Sequence, residues 1–329
     1  MSRVSTDLIR TSALPPCQKQ QVYRKFRNNQ VIKLAKGIYI DSGLWRELGQ
    51  DRDALRLRTL ARLAAVSQSQ PKHLLVGHSA AFLHRLPVES FVPPTCAELG
   101  AVQRGSYPTN SHLRWRRIPV SHQKNALVIN TEFGQVRTTG IADTCLDLAL
   151  WHSLDDALIA TEHALHTSQL SRATWLNTQD SFQCRVGSAQ ARQLFRLATP
   201  WSESPRESQV KLRMWEAGLP APLQQATVFD ADGYVIGRPD FLYPLGLAIE
   251  YDGKAKYGTD LDQVLSSLRT ERIRENSLQA EGLFFVRITS ANYLDRSAFV
   301  AIQQLRNTLE LHRWDARGLR YRAAGPAWN

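Results

Sequence analysis

Three carboxylates and one lysine lie close together near the C-terminal third of the sequence. Glu250 and Asp252 are two residues apart at the end of an apolar run, so they share one face if that run is a β-strand. Asp240 lies on the segment before a tight turn that leads into this run. A hairpin would therefore bring Asp240 close to the other two acids, and Lys254 follows two residues after Asp252.

This pattern favours metal-dependent chemistry on phosphodiesters. An unpaired carboxylate on an apolar strand costs several kcal/mol, so these acids require a counter-charge or an exposed cleft. Oxygen ligands suit Mg²⁺ or Mn²⁺, which polarise a phosphodiester and lower the pKa of a bound water. We therefore expect Asp240, Glu250 and Asp252 to bind Mg²⁺ (or Mn²⁺), with Lys254 orienting or activating the water.

Alternating helices and strands must position these residues. Ser204 and Glu207 have the spacing of a capping box that opens a helix, and Pro205 suits its first position. Helix 205–217 is followed by predicted strands 226–229, 234–243 and 247–252, a helix at 259–281, a strand at 283–288 and another helix. The predicted order is α-β-β-β-α-β-α.

The N-terminal segment is basic and predicts a small DNA-binding unit. Apolar and basic stretches at 4–9 and 18–28 suggest helices, and 31–40 alternates around a glycine as a hairpin does. This outline is typical of a winged helix-turn-helix, whose second helix lies against a groove. The expected nucleic-acid contacts are Arg24, Lys25, Arg27, Lys33 and Lys36.

Composition supports a globular, nucleic-acid-binding protein. The 329 residues carry 41 Lys and Arg against 30 Asp and Glu, a net charge of +11. A local excess of basic residues favours polyanions. No apolar run is long enough to span a membrane, and no signal peptide is visible, so a cytoplasmic location is expected. Four widely spaced cysteines predict neither a disulfide framework nor a zinc ribbon.

A second polar pair opens a predicted helix in the middle region. We expect Ser79 to cap this helix beside a packed His78 imidazole. A serine nucleophile is disfavoured here, because no glycine elbow surrounds Ser79 and no acid partner is evident.

The first half of the chain resembles AbiEi-type antitoxin regulators. Residues 18–40 resemble their winged-helix module, in which a basic helix leads into a strand with a glycine and a tyrosine, here Gly37 and Tyr39. The stretches 76–87 and 136–149 are also similar, although Arg85 stands where a glycine is usual. The resemblance implies DNA-binding regulation, with a cognate toxin or the operator of a neighbouring gene as partner.

The C-terminal region resembles the PD-(D/E)xK nucleases, and in particular their Vsr-like endonuclease branch. Five parts of the Vsr-like pattern occur in order: Pro205 with Glu207 and Ser208, Asp240 with Phe241, Glu250 to Tyr257, Glu271 to Glu275, and Gly282 to Arg287. By that resemblance Asp240 and Glu250 bind metal, and Glu207 is a helix-borne acid that completes the site.

Two residues compete for the position of the catalytic lysine. If Glu250 is the second acid of the motif, Asp252 occupies that position. If Asp252 is the acid, Lys254 is the lysine, but Gly253 would bulge the strand and turn Lys254 away. Three basic residues would meet phosphate or balance the carboxylates: Arg272, Arg274 and Arg287.

These observations predict a multi-domain α/β protein. The expected parts are a winged helix (1–48), a mixed α/β, AbiEi-like middle domain (49–198), a restriction-endonuclease-like α/β domain with a central mixed sheet (199–312) and a basic tail (313–329). The expected function is metal-dependent hydrolysis of DNA. The alternative is an AbiEi-like antitoxin or transcriptional regulator with an inactive nuclease-like domain. A homodimer is compatible with both, and neither needs a membrane.

Overall fold

The computed structural model describes residues 8–50, 53–89, 94–103, 112–182, 185–252, 278–312 and 318–328. The chain divides into two compact units, one of residues 1–160 and 170–191, the other of residues 161–169 and 192–329. Both units combine helices with β-sheets, which confirms the α/β class. No helix in the described part of the chain is long and apolar enough to cross a membrane.

The first unit begins with a three-stranded antiparallel sheet of order β1-β3-β2. Its elements are β1 (Ile9–Arg10), α1 (Pro16–Arg27), β2 (Val31–Ala35), β3 (Ile38–Asp41) and α2 (Ser42–Leu48), with a 3-10 turn at Thr11–Ala13. Gly37 allows the tight hairpin between β2 and β3, because its φ of +73° is unfavourable for other residues. A helix was expected at 4–9, of which the structure describes only residues 8 and 9. The prediction is wrong for Ile9, which begins strand β1.

The rest of the first unit is a five-stranded sheet with helices. Its order is β6-β5-β4-β8-β7. The strands are β4 (Leu74–Leu75), β5 (Ala97–Ala101), β6 (Leu113–Arg117), β7 (Leu127–Thr131) and β8 (Gly134–Thr138). The helices are α3 (Ala54–Ser69), α4 (Gly77–Leu83), α5 (Val120–Lys124), α6 (Ile141–Trp151), α7 (Leu154–His166), α8 (Arg172–Leu176) and α9 (Ser188–Leu197), with a 3-10 turn at Gln179–Phe182. Helices α7 and α9 contribute residues to both units.

The described residues of the second unit form two sheets. The larger is mixed and has the order β14-β13-β12-β9-β16, and the smaller is antiparallel with the order β11-β10-β15. The strands are β9 (Leu223–Gln224), β10 (Thr227–Phe229), β11 (Val235–Gly237), β12 (Phe241–Tyr243), β13 (Leu247–Tyr251), β14 (Phe284–Ile288), β15 (Arg320–Arg322) and β16 (Gly325–Pro326). The helices are α10 (Pro205–Glu216), α11 (Ser290–Leu294) and α12 (Ser297–Leu311).

A hydrophobic core lies on each face of the larger sheet of the second unit. Leu247 and Ile249 on β13 belong to a core that includes residues of α10, α11 and α12. Ala248 belongs to the opposite core, together with Leu242 of β12. Since side chains alternate along a strand, residues with even numbers on β13 face this second core. The next residue on this face of β13 after Ala248 is the predicted acid Glu250.

Two predicted segments differ from the structure. The single strand expected at 234–243 is two strands, β11 and β12, which belong to different sheets and leave Asp240 just before β12. The segment expected as a basic tail contributes β15 and β16, one to each sheet of the second unit.

Candidate functional site

Asp240 and Glu250 lie side by side at the end of the larger sheet of the second unit. The antiparallel register pairs Leu242 with Ala248. Two residues further along the same face, this register places Asp240 opposite Glu250. Both acids therefore continue a face that is apolar up to this point, and Glu250 is only 9% exposed.

The Asp240 side chain is held against the backbone of β13. Its Oδ2 accepts a hydrogen bond from the Tyr251 amide at 2.9 Å. Its backbone carbonyl accepts from the Gln225 amide at 3.0 Å. These two bonds fix the carboxylate at the position where β12 begins, so its place beside Glu250 is set by the sheet itself.

Arg287 supplies positive charge on the other side of Glu250. The parallel register of β13 and β14 pairs Glu250 with Arg287. Arg287 Nη1 is 4.0 Å from Asp252 Oδ2, the outer limit of an ion pair, and both side chains are partly exposed. The Asp252 amide donates to the Ile288 carbonyl at 2.8 Å, which extends the pairing of the two strands. The guanidinium is placed to balance the carboxylates or to meet an anion.

Ser204 caps the start of α10, and the side chain of Glu207 in the first turn reaches the same part of the sheet. Its amide donates to Ser204 Oγ at 3.2 Å, and its Oε1 accepts from that hydroxyl at 2.8 Å. Its Oε2 accepts from the Glu203 amide and from Gln225 Nε2, both at 2.9 Å. Burial raises the pKa of Glu207, although these hydrogen bonds oppose the rise. Gln225 thus connects Glu207 to Asp240, and the predicted helix cap is confirmed.

The donor set suits a hard cation such as Mg²⁺. The residues at this end of the sheet offer carboxylate oxygens, and Mg²⁺ usually binds through one or two carboxylates while keeping several waters. Asp240 and Glu250 lie opposite each other, and a buried carboxylate such as Glu250 requires nearby positive charge. The three acids Asp240, Glu250 and Asp252 are not, however, a set whose oxygens all converge within 4.8 Å.

Several predicted site residues lie outside the described part of the chain. These are Lys254, Arg272 and Arg274. The choice between Asp252 and Lys254 for the position of the catalytic lysine therefore stays a prediction.

Five of the basic residues expected to contact nucleic acid are exposed on the first unit. Arg24, Lys25 and Arg27 form the last turn of α1, and Lys33 and Lys36 lie on and beside β2. We call these five residues the N-terminal basic surface.

Two exposed aromatic rings lie on α1 among the residues of the N-terminal basic surface. Tyr23 and Phe26 are 45% and 43% exposed on α1, and each makes an edge contact with Tyr39 of the hairpin. Exposed aromatic rings among cations offer both stacking and charge to a nucleic acid.

The sequence analysis missed a polar cluster in the first unit. Among the described residues, His78, Glu98 and His152 are the set of three possible metal ligands whose atoms lie within 4.8 Å of one another. Their positions are too far apart in the sequence for any spacing motif to reveal them. The expected role of Ser79 as a helix cap is wrong, because α4 begins earlier and Ser79 Oγ accepts from the Glu98 amide at 3.0 Å.

The chain was also compared with known proteins. No protein-family model matches the chain, and no curated protein matches it at a significant level.

Proposed function

We propose that the second unit hydrolyses phosphodiester bonds in DNA with the help of Mg²⁺ or Mn²⁺. The observation that carries the proposal is the adjacency of Asp240 and Glu250 at the end of two central strands, with Arg287 beside them. Acids on an otherwise apolar sheet face are destabilising unless a cation or a polar ligand compensates them.

Asp240 and Glu250 would hold the cation. Asp252 would have to move to become a further oxygen donor, because the three carboxylates do not converge within 4.8 Å. When bound, the metal ion supplies Lewis-acid polarisation of a phosphate and a water of lowered pKa. Arg287 would bind a phosphate oxygen of the substrate, because it is the strand partner of Glu250 and its partly exposed guanidinium lies 4.0 Å from Asp252. Glu207 orients Gln225 and, through it, the segment that carries Asp240.

The N-terminal basic surface would supply affinity for DNA in this proposal. It would act through phosphate contacts, which position a protein on DNA without reading its sequence. The proposed winged-helix architecture of this segment and the proposed restriction-endonuclease-like architecture of the second unit both agree with this division of roles. The resemblance to AbiEi-type regulators and Vsr-like endonucleases supports the same assignment.

A cleavage assay tests the proposal. Supercoiled, linear and single-stranded DNA are incubated with the protein and Mg²⁺, Mn²⁺ or EDTA. We expect metal-dependent nicking that falls at least about a hundredfold in Asp240→Asn and in Glu250→Gln. The matched control is Glu310→Gln, which neutralises an exposed acid on α12 of the same unit. No cleavage with any metal would overturn the nuclease proposal.

A second candidate is a DNA-binding regulator or antitoxin without nuclease activity. The specific observations that favour it are the hydrogen bond from the Tyr251 amide to Asp240 and the approach of Arg287 to Asp252. Both engage carboxylates that a metal ion would otherwise use. Tight binding to one operator, together with no cleavage under any metal, would support this candidate.

A further inference from the structure

A mixed histidine and carboxylate cluster lies inside the first unit, where the proposed nuclease chemistry does not use it. His78 is on α4, Glu98 is in the middle of β5, and His152 follows the last residue of α6. The side chains of Glu98 and His152 are 4% and 10% exposed, and that of His78 is 30% exposed. The cluster is therefore buried but keeps an opening to solvent on the His78 side.

Glu98 is fixed at the centre of the cluster. Its Oε2 accepts from the His78 amide and contacts His152 Nε2, both at 2.9 Å. Its Oε1 accepts two hydrogen bonds from Arg116, at 3.0 and 2.9 Å. One oxygen of Glu98 thus pairs with a guanidinium, while the other faces the histidines.

Gly77 permits the close approach of the Glu98 carboxylate. A Cβ at this position would come within 2.4 Å of Glu98 Oε2 and 3.1 Å of His152 Nε2. The φ of Gly77 is +54°, which a side chain would also disfavour. The backbone therefore leaves this space for the polar cluster, and a larger residue would close it.

Asp156 orients His78 from outside the set of three. Asp156 Oδ2 is 3.0 Å from His78 Nε2, and Asp156 Oδ1 accepts from the Glu89 amide at 2.9 Å. With Asp156 on Nε2, the nitrogen of His78 that remains for a metal ion is Nδ1. Such a carboxylate–histidine pair is the usual outer support of a metal-binding imidazole.

Two carboxylates and two imidazoles lie in contact in this cluster. Glu98 contacts the guanidinium of Arg116 and the imidazole of His152, and Asp156 contacts the imidazole of His78. The two imidazole rings lie 3.8 Å apart between centroids, and two protonated rings at that distance would repel each other.

We propose that His78, Glu98 and His152 bind a divalent transition-metal ion, with Zn²⁺ as the reference ion. Two imidazoles and one carboxylate, with a fourth position open to solvent, are a donor set that Zn²⁺ accepts, whereas Mg²⁺ prefers oxygen alone. A metal ion bound to His152 Nε2 and Glu98 Oε2 would replace the hydrogen bond between them, and the proton of that bond would be released to solvent. This site is separate from the proposed Mg²⁺ site and does not depend on it.

Calorimetry with Zn²⁺ in excess Mg²⁺ tests the site, because Mg²⁺ competes for carboxylate clusters but not for imidazoles. We expect one Zn²⁺ per wild-type chain. His152→Gln should lower the affinity at least about tenfold, and Asp156→Asn should lower it about ten- to a hundredfold. The matched control His312→Gln, an exposed histidine after α12, should bind as the wild type does.

A second measurement on the wild-type protein is needed, because a variant could lose Zn²⁺ binding simply by failing to fold. The visible absorption of Co²⁺ bound to the wild-type protein reports nitrogen and oxygen ligands in a four- or five-coordinate site. No such spectrum and no Zn²⁺ binding by the wild type would overturn the proposal. It would equally be overturned if Zn²⁺ bound with unchanged affinity to a folded His152→Gln variant, as judged by circular dichroism.

Discussion

Lys211 donates a hydrogen bond to Glu162 inside the second unit, where both side chains are fully buried. The ammonium also donates to the Leu197 carbonyl at 2.8 Å and to Thr199 Oγ1 at 3.1 Å. Thr199 in turn donates to Glu162 Oε1 from its amide and its hydroxyl. The middle of α10 is thus fixed to the C-terminal half of α7 by a buried ion pair with polar support, one helical turn from Glu207.

We expect Lys211→Met to lower the free energy of unfolding by about 3–5 kcal/mol, because it leaves the Glu162 carboxylate buried without a counter-charge. Adding Glu162→Gln should recover at least half of that loss, since a neutral amide needs no counter-charge. Urea unfolding measures both. The control Arg238→Met breaks an exposed ion pair with Glu203 in the same unit and should cost less than about 1 kcal/mol. Equal losses for Lys211→Met and Arg238→Met would contradict the prediction.

The N-terminal basic surface is expected to determine the salt dependence of DNA binding. Arg24→Ala with Lys25→Ala should weaken binding to all DNA sequences, and should reduce the slope of log K against log salt by about 2, roughly one per lost phosphate contact. Fluorescence anisotropy over a range of salt concentrations measures this slope. A control pair, Lys124→Ala with Arg172→Ala, removes the same charge from exposed positions elsewhere in the first unit. If both pairs reduce the slope equally, the N-terminal surface is not the contact.

Buried Asp143 and buried His122 are expected to change the free energy of unfolding in opposite directions as the pH rises. Burial raises the pKa of Asp143 to about 6, and the charge of Arg185 opposes the rise. Burial lowers the pKa of His122 to about 4, and Arg185 lowers it further. His122 Nε2 is 3.3 Å from Asp143 Oδ1, and the fully buried Asp147 lies near both His122 and Arg185.

Between about pH 4 and 6 the folded protein keeps a proton on Asp143 that the unfolded chain has released, so this residue makes stability fall as pH rises. His122 acts in the opposite sense, because the unfolded chain protonates it below about pH 6.5. Asp143→Asn should therefore gain stability relative to the wild type by about 3 kcal/mol between about pH 4 and pH 7. Urea unfolding at both pH values measures the change, and exposed Asp232→Asn should show none.

Local patterns predicted the elements that carry the candidate nuclease site. The alternation around Gly37, the Ser204 cap of α10 and the apolar run before Glu250 each depend on neighbours in the sequence, and each element appears where it was expected. The hairpin that brings Asp240 to Glu250 is also local, because a short turn joins its strands. These features were predictable because their causes lie within a few residues.

Other features depend on contacts between distant residues. The sequence from Val235 to Tyr243 looks like one strand, but its two halves pair with β10 and with β13 in different sheets. The grouping of His78, Glu98 and His152 depends on how α4, β5 and the end of α6 pack together. No pattern within a short window encodes such packing, so this cluster could be found only in the structure.

The last two strands close both sheets of the second unit. β15 pairs with β10, and β16 pairs with β9, and each is the outermost strand of its sheet in the described part of the chain. Pro326 has no amide hydrogen to donate, and exposed Arg320 and Arg322 place charge along the other border. The C-terminal segment therefore protects the protein from aggregation. A chain truncated before residue 318 would leave the backbone hydrogen-bonding groups of β9 and β10 unpaired along one edge, and copies of the protein would associate by pairing these edge strands.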